Sequence, residues 1–330
     1  MADRRISGLF SGFTALVAGL ALGAVVALAG TGQPSPGQIG MQNPVTDIAV
    51  EINNFHDLVN YIIFAICAFV VALLAWVIVR FNRSANPTPS RTTHNTMIEV
   101  LWTVLPILIL IVIGIPSFKL LFMQYSYPKP DLTIKATGNA WYWDHEYPDH
   151  GIKVTSNMIK DEDVLKTEIG EAEFGKRYGS LTGTALSSAL YRDSQAAWAK
   201  QKLVRQLSVD NEIAVPVNKV VHVLVTSGDV IHSWTIPSFG SKVQAVPGRN
   251  TATWFKATKT GVYYGQCSVL CGKLHSGMPI AIRVVEQAAY EQWLAAAKAR
   301  QWDRAKQILR AATEEGGAAR LAEAVDGTKN

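Results

Sequence analysis

The chain has 330 residues, 48% of them apolar and only 17% charged, which leans toward a membrane protein. Its formal net charge is +5, but the stretch 131–286 is nearly neutral and shows no basic stripe with interleaved aromatics, so a nucleic-acid partner is excluded. Of the three cysteines, Cys67 lies in an apolar run and reads as a small hydrophobe, leaving Cys267 and Cys271 as the pair to explain.

The N-terminal stretch carries Arg4 and Arg5, then an Ala/Gly-rich apolar segment from Leu9 to Ala29. Ala27-Leu28-Ala29 fits a small-residue cleavage signature, so residues 1–29 are expected to be a cleaved export signal. The apolar part is longer than the usual signal core, which leaves an uncleaved anchor as the alternative. No Cys lies near that site to take a lipid anchor. Residues 30–57 follow, opening with a Gly/Pro/Ser/Gln-rich run, and are expected to be an N-terminal linker segment.

Residues 58–125 are expected to form a transmembrane helix hairpin in contact with membrane lipid. Leu58 to Val79 carries no charged residue and is long enough to span a bilayer. A second apolar run extends from Val100 to Phe118 and is kinked by Pro106 and Pro116, which lipid-embedded helices tolerate. The connector holds Arg80, Arg83 and Arg91 and, up to Thr96, no acid, which places it in the cytoplasm and both outer ends of the hairpin outside. Glu99 stands at the membrane edge of the second span. There it is either a snorkelling interfacial carboxylate or a proton-pathway group.

From Asp131 the texture changes to short runs rich in Val, Ile, Thr and aromatics. Seven are predicted as strands: 132–137, 140–147, 219–227, 230–236, 251–257, 262–266 and 280–285. Gly, Pro, Asn or Asp separates them, the pattern of an antiparallel sandwich. Residues 156–207 interrupt it as a charged, Ala-rich insertion in which 185–207 could form one amphipathic helix. Residues 287–330 are expected to be a C-terminal helix and tail, with Trp293, Leu294, Ile308 and Leu309 as apolar marks and Gly316-Gly317 opening a polar end.

One stretch carries the chemistry. Between Gly265 and Pro279 stand Cys267, Cys271, His275 and Met278, and His232 lies upstream in Asp229-Val230-Ile231-His232-Ser233-Trp234. Thiolate and thioether select soft metals, and imidazole suits copper or zinc. Three arrangements fit the residue types. Two Cys and two His make a tetrahedral zinc site, which has no use for Met. One Cys, two His and an axial Met make a single blue copper and leave a thiol over. Two thiolates bridging a pair of copper ions, with one His each and weak axial donors, use all five side chains.

Gly265-Gln266-Cys267-Ser268-Val269-Leu270-Cys271-Gly272, with His275 and Met278, closely resembles the CuA loop of cytochrome c oxidase subunit 2. So do the segment Asp229–Trp234 and Ala245-Val246-Pro247-Gly248-Arg249, while Trp141-Tyr142-Trp143 resembles that family's aromatic cluster and 93–103 its second-helix start. The resemblance runs from about Asn54 to Trp293, apart from the insertion. It implies a two-helix transmembrane hairpin followed by an all-β cupredoxin-like Greek-key sandwich with a helical insertion, spanning 126–286.

It implies, too, an electron-accepting subunit of a haem–copper cytochrome c oxidase in a bacterial-type inner membrane, with its copper domain on the periplasmic side. Electrons from cytochrome c pass to the haems of a partner subunit, where oxygen is reduced to water as protons are translocated. His232, Cys267, Cys271, His275, Met278 and the backbone carbonyl of Val269 would hold the dinuclear copper. Trp141 would be the point where the electron arrives and Glu99 the mouth of a proton path. Glu146, Asp210 and Asp229 would attract the lysine rim of cytochrome c.

The implied partners are cytochrome c and oxidase subunits 1 and 3. The haems belong to the partner: this chain has seven His in all and no Cys-x-x-Cys-His motif. Two departures stand out. The family's residue between the cysteines is usually a Glu that helps bind magnesium at the subunit boundary, and here it is Val269, which puts that ion in doubt. Gln244 stands where the family often has Asp, which makes the docking patch less acidic. Two rival functions are a copper-bearing subunit of a nitric oxide reductase and a membrane-tethered copper chaperone.

Overall fold

In the computed structural model, residues 32–88 and 90–312 are described. The expected signal at 1–29 and the Gly316-Gly317 end of the tail lie outside them.

Two long helices come first, α1 (Asp47–Arg80) and α2 (Thr96–Tyr125). Each is long and apolar enough to cross a membrane, and the apolar side chains along both are exposed within the chain, as lipid or a partner helix requires. At 34 residues α1 measures about 51 Å, well beyond the ~30 Å hydrocarbon core, so part of it projects past the bilayer. This revises the expected linker at 30–57, because residues 47–57 are helical. Asp47, Glu51 and Asp57 end the apolar run without ending the helix.

The projecting turn docks on the β-domain. Thr46 caps α1 by accepting from the Ala49 amide (3.0 Å), and its hydroxyl donates to the Phe239 carbonyl (2.8 Å). Ile48 and Ala49 are buried there. At its far end α2 is tied to the same domain: Trp254 Nε1 donates to the Gln124 carbonyl (3.2 Å) and Tyr127 to the Ala252 carbonyl (2.9 Å). Both helices therefore approach one folded body.

That body has ten strands: β1 (Leu132–Asn139), β2 (Tyr142–Tyr147), β3 (Ile152–Ser156), β4 (Ile213–Pro216), β5 (Val220–Ser227), β6 (His232–Ile236), β7 (Ser241–Ala245), β8 (Thr251–Lys256), β9 (Gly261–Gln266) and β10 (Pro279–Val285). They form a five-stranded sheet ordered β3-β2-β1-β5-β8, a three-stranded sheet ordered β4-β10-β9, and the pair β6-β7. Most neighbours are antiparallel, but β1 runs parallel to β5 and β4 to β10, so the expectation of a purely antiparallel sandwich is corrected to a mixed one. All seven predicted runs contain strands. The three not predicted, β3, β4 and β7, are short and carry Lys153, Pro216 or Lys242.

Strands β1 and β5 alternate buried and half-buried positions, the period-2 signature of one face on a core. That core holds Trp143, Trp234, Phe239, Phe255 and Tyr263, with the Phe239 and Phe255 rings 4.5 Å apart. Strand β10 is buried at every position. Ile280, Ile282 and Val284 face the main core, while Ala281 is covered by Leu207 and Val209. Arg283, also on the outer face, makes a bidentate contact with Glu212 and donates to the Leu309 carbonyl (3.3 Å), which anchors the C-terminal helical segment 302–312.

The insertion holds three helices, α3 (Asp161–Ile169), α4 (Glu171–Tyr178) and α5 (Gly183–Lys200), where one had been expected. They have small apolar clusters of their own, Val164 with Ala197 and Trp198, and Leu165 with Tyr178 and Ala189. Asp161 latches them, accepting from Arg205 in a bidentate pair, from Trp198 Nε1 (2.8 Å) and from Ser194 (3.0 Å). A further helix, α6 (Gln287–Lys298), packs Trp293 against Tyr147 at a ring separation of 5.3 Å.

Candidate metal centre

The loop between β9 and β10 meets the start of β6. This meeting depends on Gly265: a Cβ there would stand 1.8 Å from the Thr235 carbonyl, so only glycine lets β9 pass that close to β6. Two residues later Cys267 arrives beside His232, the first residue of β6. Ser268 is held to β6 by its hydroxyl contacts with Thr235 (2.7 Å) and Ser233 (3.0 Å).

The donors converge. Cys267 Sγ lies 3.7 Å from Cys271 Sγ, 3.9 Å from His232 Nδ1 and 3.2 Å from the Val269 carbonyl. Cys271 Sγ lies 3.5 Å from His275 Nδ1 and 3.6 Å from Met278 Sδ. The ligand atoms of His232, Cys267 and Cys271 all fall within 4.8 Å of one another. His232, both cysteines and Met278 are buried and His275 is half-buried. All six donors anticipated from the sequence thus come together.

The surroundings hold these groups in place. Gly138 of β1 makes room for the His232 ring, because a Cβ there would lie 2.9 Å from it. Trp143 Nε1 donates to the Met278 carbonyl (3.1 Å) and Trp141 Nε1 to the Cys271 carbonyl (3.1 Å). Burial, together with the neighbouring Cys267 thiol, pushes the Cys271 thiol up to about 12. A metal that binds there must release that proton.

The donor chemistry separates the candidate metals. A structural zinc needs only the two Cys and two His, and would leave a buried Met278 sulfur facing the thiols without purpose. A single blue copper leaves one buried thiol unused. Two coppers use both thiols, both imidazoles, the thioether and the carbonyl. The Val269 side chain carries no oxygen donor, so at this position the chain offers magnesium no carboxylate.

The remaining predicted site residues occupy separate segments. Trp141 is half-buried beside the cysteine loop. Glu99 sits in the first turn of α2, where its carboxylate accepts from the Asn95 amide (3.3 Å). Glu146 of β2 stands 3.8 Å from Lys135. Asp210 closes the neck of the insertion, accepting from the Asn157 amide (2.8 Å) and side chain (3.1 Å).

Asp229 accepts from His232 Nε2 (2.8 Å), the Val230 amide (2.6 Å) and the Ala140 amide (2.6 Å). Its partial burial alone would raise the carboxyl, but these donors outweigh burial and hold it below its ordinary value. The sequence reading missed the contacts of Trp143 and Asp229. The one available signal was the spacing Asp-x-x-His, which sets a carboxylate near an imidazole.

Comparison with known proteins agrees with this architecture. The family described as "Cytochrome C oxidase subunit II, transmembrane domain" matches residues 34–120, and "Cytochrome C oxidase subunit II, periplasmic domain" matches 132–178 and 177–285. A probable cytochrome c oxidase subunit 2 of Rickettsia conorii is 42% identical over 264 residues, covering 80% of this chain and 73% of that protein. Cytochrome c oxidase subunit 2 of Cereibacter sphaeroides is 40% identical over 267 residues, covering 81% and 82%. The crystal structure of the periplasmic domain of the corresponding subunit of Bradyrhizobium japonicum shares 44% identity, covers 53% of this chain and 99% of that one, and has a TM-score of 0.40. With both halves of the family matched along most of its length, the chain belongs to the cytochrome c oxidase subunit 2 family and is a subunit of an oxidoreductase complex.

Proposed function

We propose that this subunit accepts single electrons from cytochrome c at a dinuclear copper centre and hands them to the haem-bearing catalytic subunit. The observation that carries this reading is the pair of buried thiols 3.7 Å apart, each with an imidazole nitrogen beside it and with the Met278 thioether at the Cys271 side. His232, Cys267, Cys271, His275, Met278 and the Val269 carbonyl would hold the two coppers, which when bound would supply a one-electron carrier.

The protein's part is rigidity and exclusion of water. Sheet strands β6, β9 and β10 fix His232, Cys267 and Met278, and the hydroxyl contacts of Ser268 hold the loop between the thiols. A frame that does not rearrange lowers the reorganisation needed for electron transfer. Trp141, half-buried and hydrogen-bonded to the Cys271 carbonyl, is the group through which an electron arrives. Glu146 and Asp210 remain candidates for steering cytochrome c, and Glu99 for the mouth of a proton path into the catalytic subunit.

The three arginines of the connector, Arg80, Arg83 and Arg91, support a periplasmic position for the copper domain. The apolar outer surfaces of α1 and α2 serve lipid and the catalytic subunit. No step runs through magnesium, since Val269 offers this chain's side of that site only a carbonyl.

The test uses the full chain in detergent, loaded with copper. Two coppers per chain and a purple mixed-valence spectrum are expected; one copper, or zinc alone, overturns the reading. A stopped-flow mix with reduced cytochrome c separates electron transfer from copper storage, because a chaperone gives no fast oxidation of the haem.

A further inference from the structure

Asp229 was anticipated as a surface acid facing cytochrome c, yet its carboxylate is turned inward. It lies in the short link between β5 and β6, with its side chain 36% exposed, while the histidine it touches is fully buried. One oxygen, Oδ1, takes His232 Nε2 (2.8 Å) and the Val230 amide (2.6 Å). The other, Oδ2, takes the amide of Ala140 (2.6 Å), the residue before Trp141.

An ionised carboxylate only accepts hydrogen bonds. A neutral His232 must therefore carry its proton on Nε2, which leaves the Nδ1 lone pair free on the side of Cys267 Sγ, 3.9 Å away. The opposite tautomer would aim an N–H at the thiols and a lone pair at the carboxylate. The second oxygen ties the same anion to the turn that holds Trp141, whose indole donates to the Cys271 carbonyl. One side chain thus joins a metal-ligand candidate to the segment presenting the aromatic at the surface.

We propose that Asp229 is a positioning residue of the metal centre: it sets the tautomer and ring orientation of His232 and locks the Ala140–Trp141 turn to it. Carboxylates behind metal-bound histidines act this way by raising the donor strength of the ring. Asparagine cannot replace Asp229, because it has one acceptor oxygen and the site demands two. The copper part of this proposal rests on the function proposed above; the tautomer part does not.

The experiment compares the full-length wild type with Asp229→Asn and Asp229→Glu, without cytochrome c. In the copper-free proteins, nitrogen-15 NMR of the histidine rings reads the tautomer directly. Wild type is expected to show His232 protonated at Nε2, and Asp229→Asn a mixture of tautomers; an Nδ1-protonated ring in wild type overturns the proposal. In the copper-loaded proteins, Asp229→Asn is expected to lose copper to a chelator ~10–100-fold more readily. Its midpoint potential should also move upward, since the oxidised centre loses electron donation.

Asp229→Glu, which restores two acceptor oxygens, should recover part of both. If Asp229→Asn retains copper and potential as wild type does, and alters only the salt dependence of the reaction with cytochrome c, Asp229 is a docking acid and the proposal falls. A wild type that takes up no copper overturns the copper reading instead, while the NMR result still decides the tautomer.

Discussion

Trp141, in the turn between β1 and β2, donates its indole Nε1–H to the backbone carbonyl of Cys271 at 3.1 Å, across 130 positions of sequence. A half-buried aromatic at the domain surface is thereby joined by one hydrogen bond to the loop that carries both thiols. The contact has a structural side and, under the proposed function, an electronic one, and the two can be separated.

Trp141→Phe keeps a ring but removes the donor. Leaving the Cys271 carbonyl short of a partner costs about 1 kcal/mol. The copper spectrum should persist, while oxidation of reduced cytochrome c, followed by stopped flow, should slow by more than tenfold. An unchanged rate would remove Trp141 from the electron path.

Gly265→Ala tests the approach of β9 to β6. Its new methyl would overlap the Thr235 carbonyl, and the strands would have to part to admit it. Overpacking of this kind costs roughly 1–3 kcal/mol, a fall of about 2–10 °C in melting temperature for a domain of this size. Copper uptake should fall with it, because Cys267 and His232 separate. A variant that melts and binds copper like wild type would show that the approach is not needed.

His145 predicts an acid sensitivity that needs no metal. Its ring is fully buried, with Nε2 accepting from Trp234 Nε1 (3.3 Å). Burial lowers its value to about 4, against the opposing pull of Asp144. The unfolded chain therefore binds a proton near pH 6.5 that the folded chain refuses until about pH 4. The associated stability is complete above pH 6.5 and is lost as pH falls through this window, by an amount on the order of 3 kcal/mol. In denaturant titrations at pH 7.5 and 4.5, His145→Gln should lose less stability than wild type between the two. Equal losses would mean that His145 does not carry the effect.

Arg283 and Glu212 form a largely buried ion pair under the C-terminal segment, with side chains 11% and 16% exposed. Breaking such a pair from one side leaves an uncompensated charge and costs about 3–5 kcal/mol. Glu212→Gln and Arg283→Met should each destabilise by that order. Hydrogen exchange should rise first across 302–312, where Arg283 holds the Leu309 carbonyl. The double variant should recover part of the loss, and its failure to do so would show that the two do not act as a pair.

Much of this protein was decided locally and was legible in the chain. Uninterrupted apolar runs specify the two spans, because no charge can be left in hydrocarbon. Cys-x3-Cys-x3-His-x2-Met specifies a soft-metal loop, because the donors fall within a dozen residues. Where local reading failed, a distant contact was responsible. Helix α1 begins eleven residues before its apolar run because Thr46 and Ala49 dock on Phe239 and Gly240. Strand β4, only four residues ending in Pro216, exists because β10 pairs with it in parallel.

Asp229 shows the same division at the metal centre. Its sequence position offers an acid near a histidine, and nothing in the chain says whether the carboxylate faces solvent or the ring. That choice is made where the Ala140 amide, 89 positions away, supplies a second donor and turns it inward. Composition and spacing decide which chemical groups are present, because those are covalent facts. Which of them meet, and with which nitrogen or oxygen facing the thiols, is decided only when strands remote in sequence close upon one another.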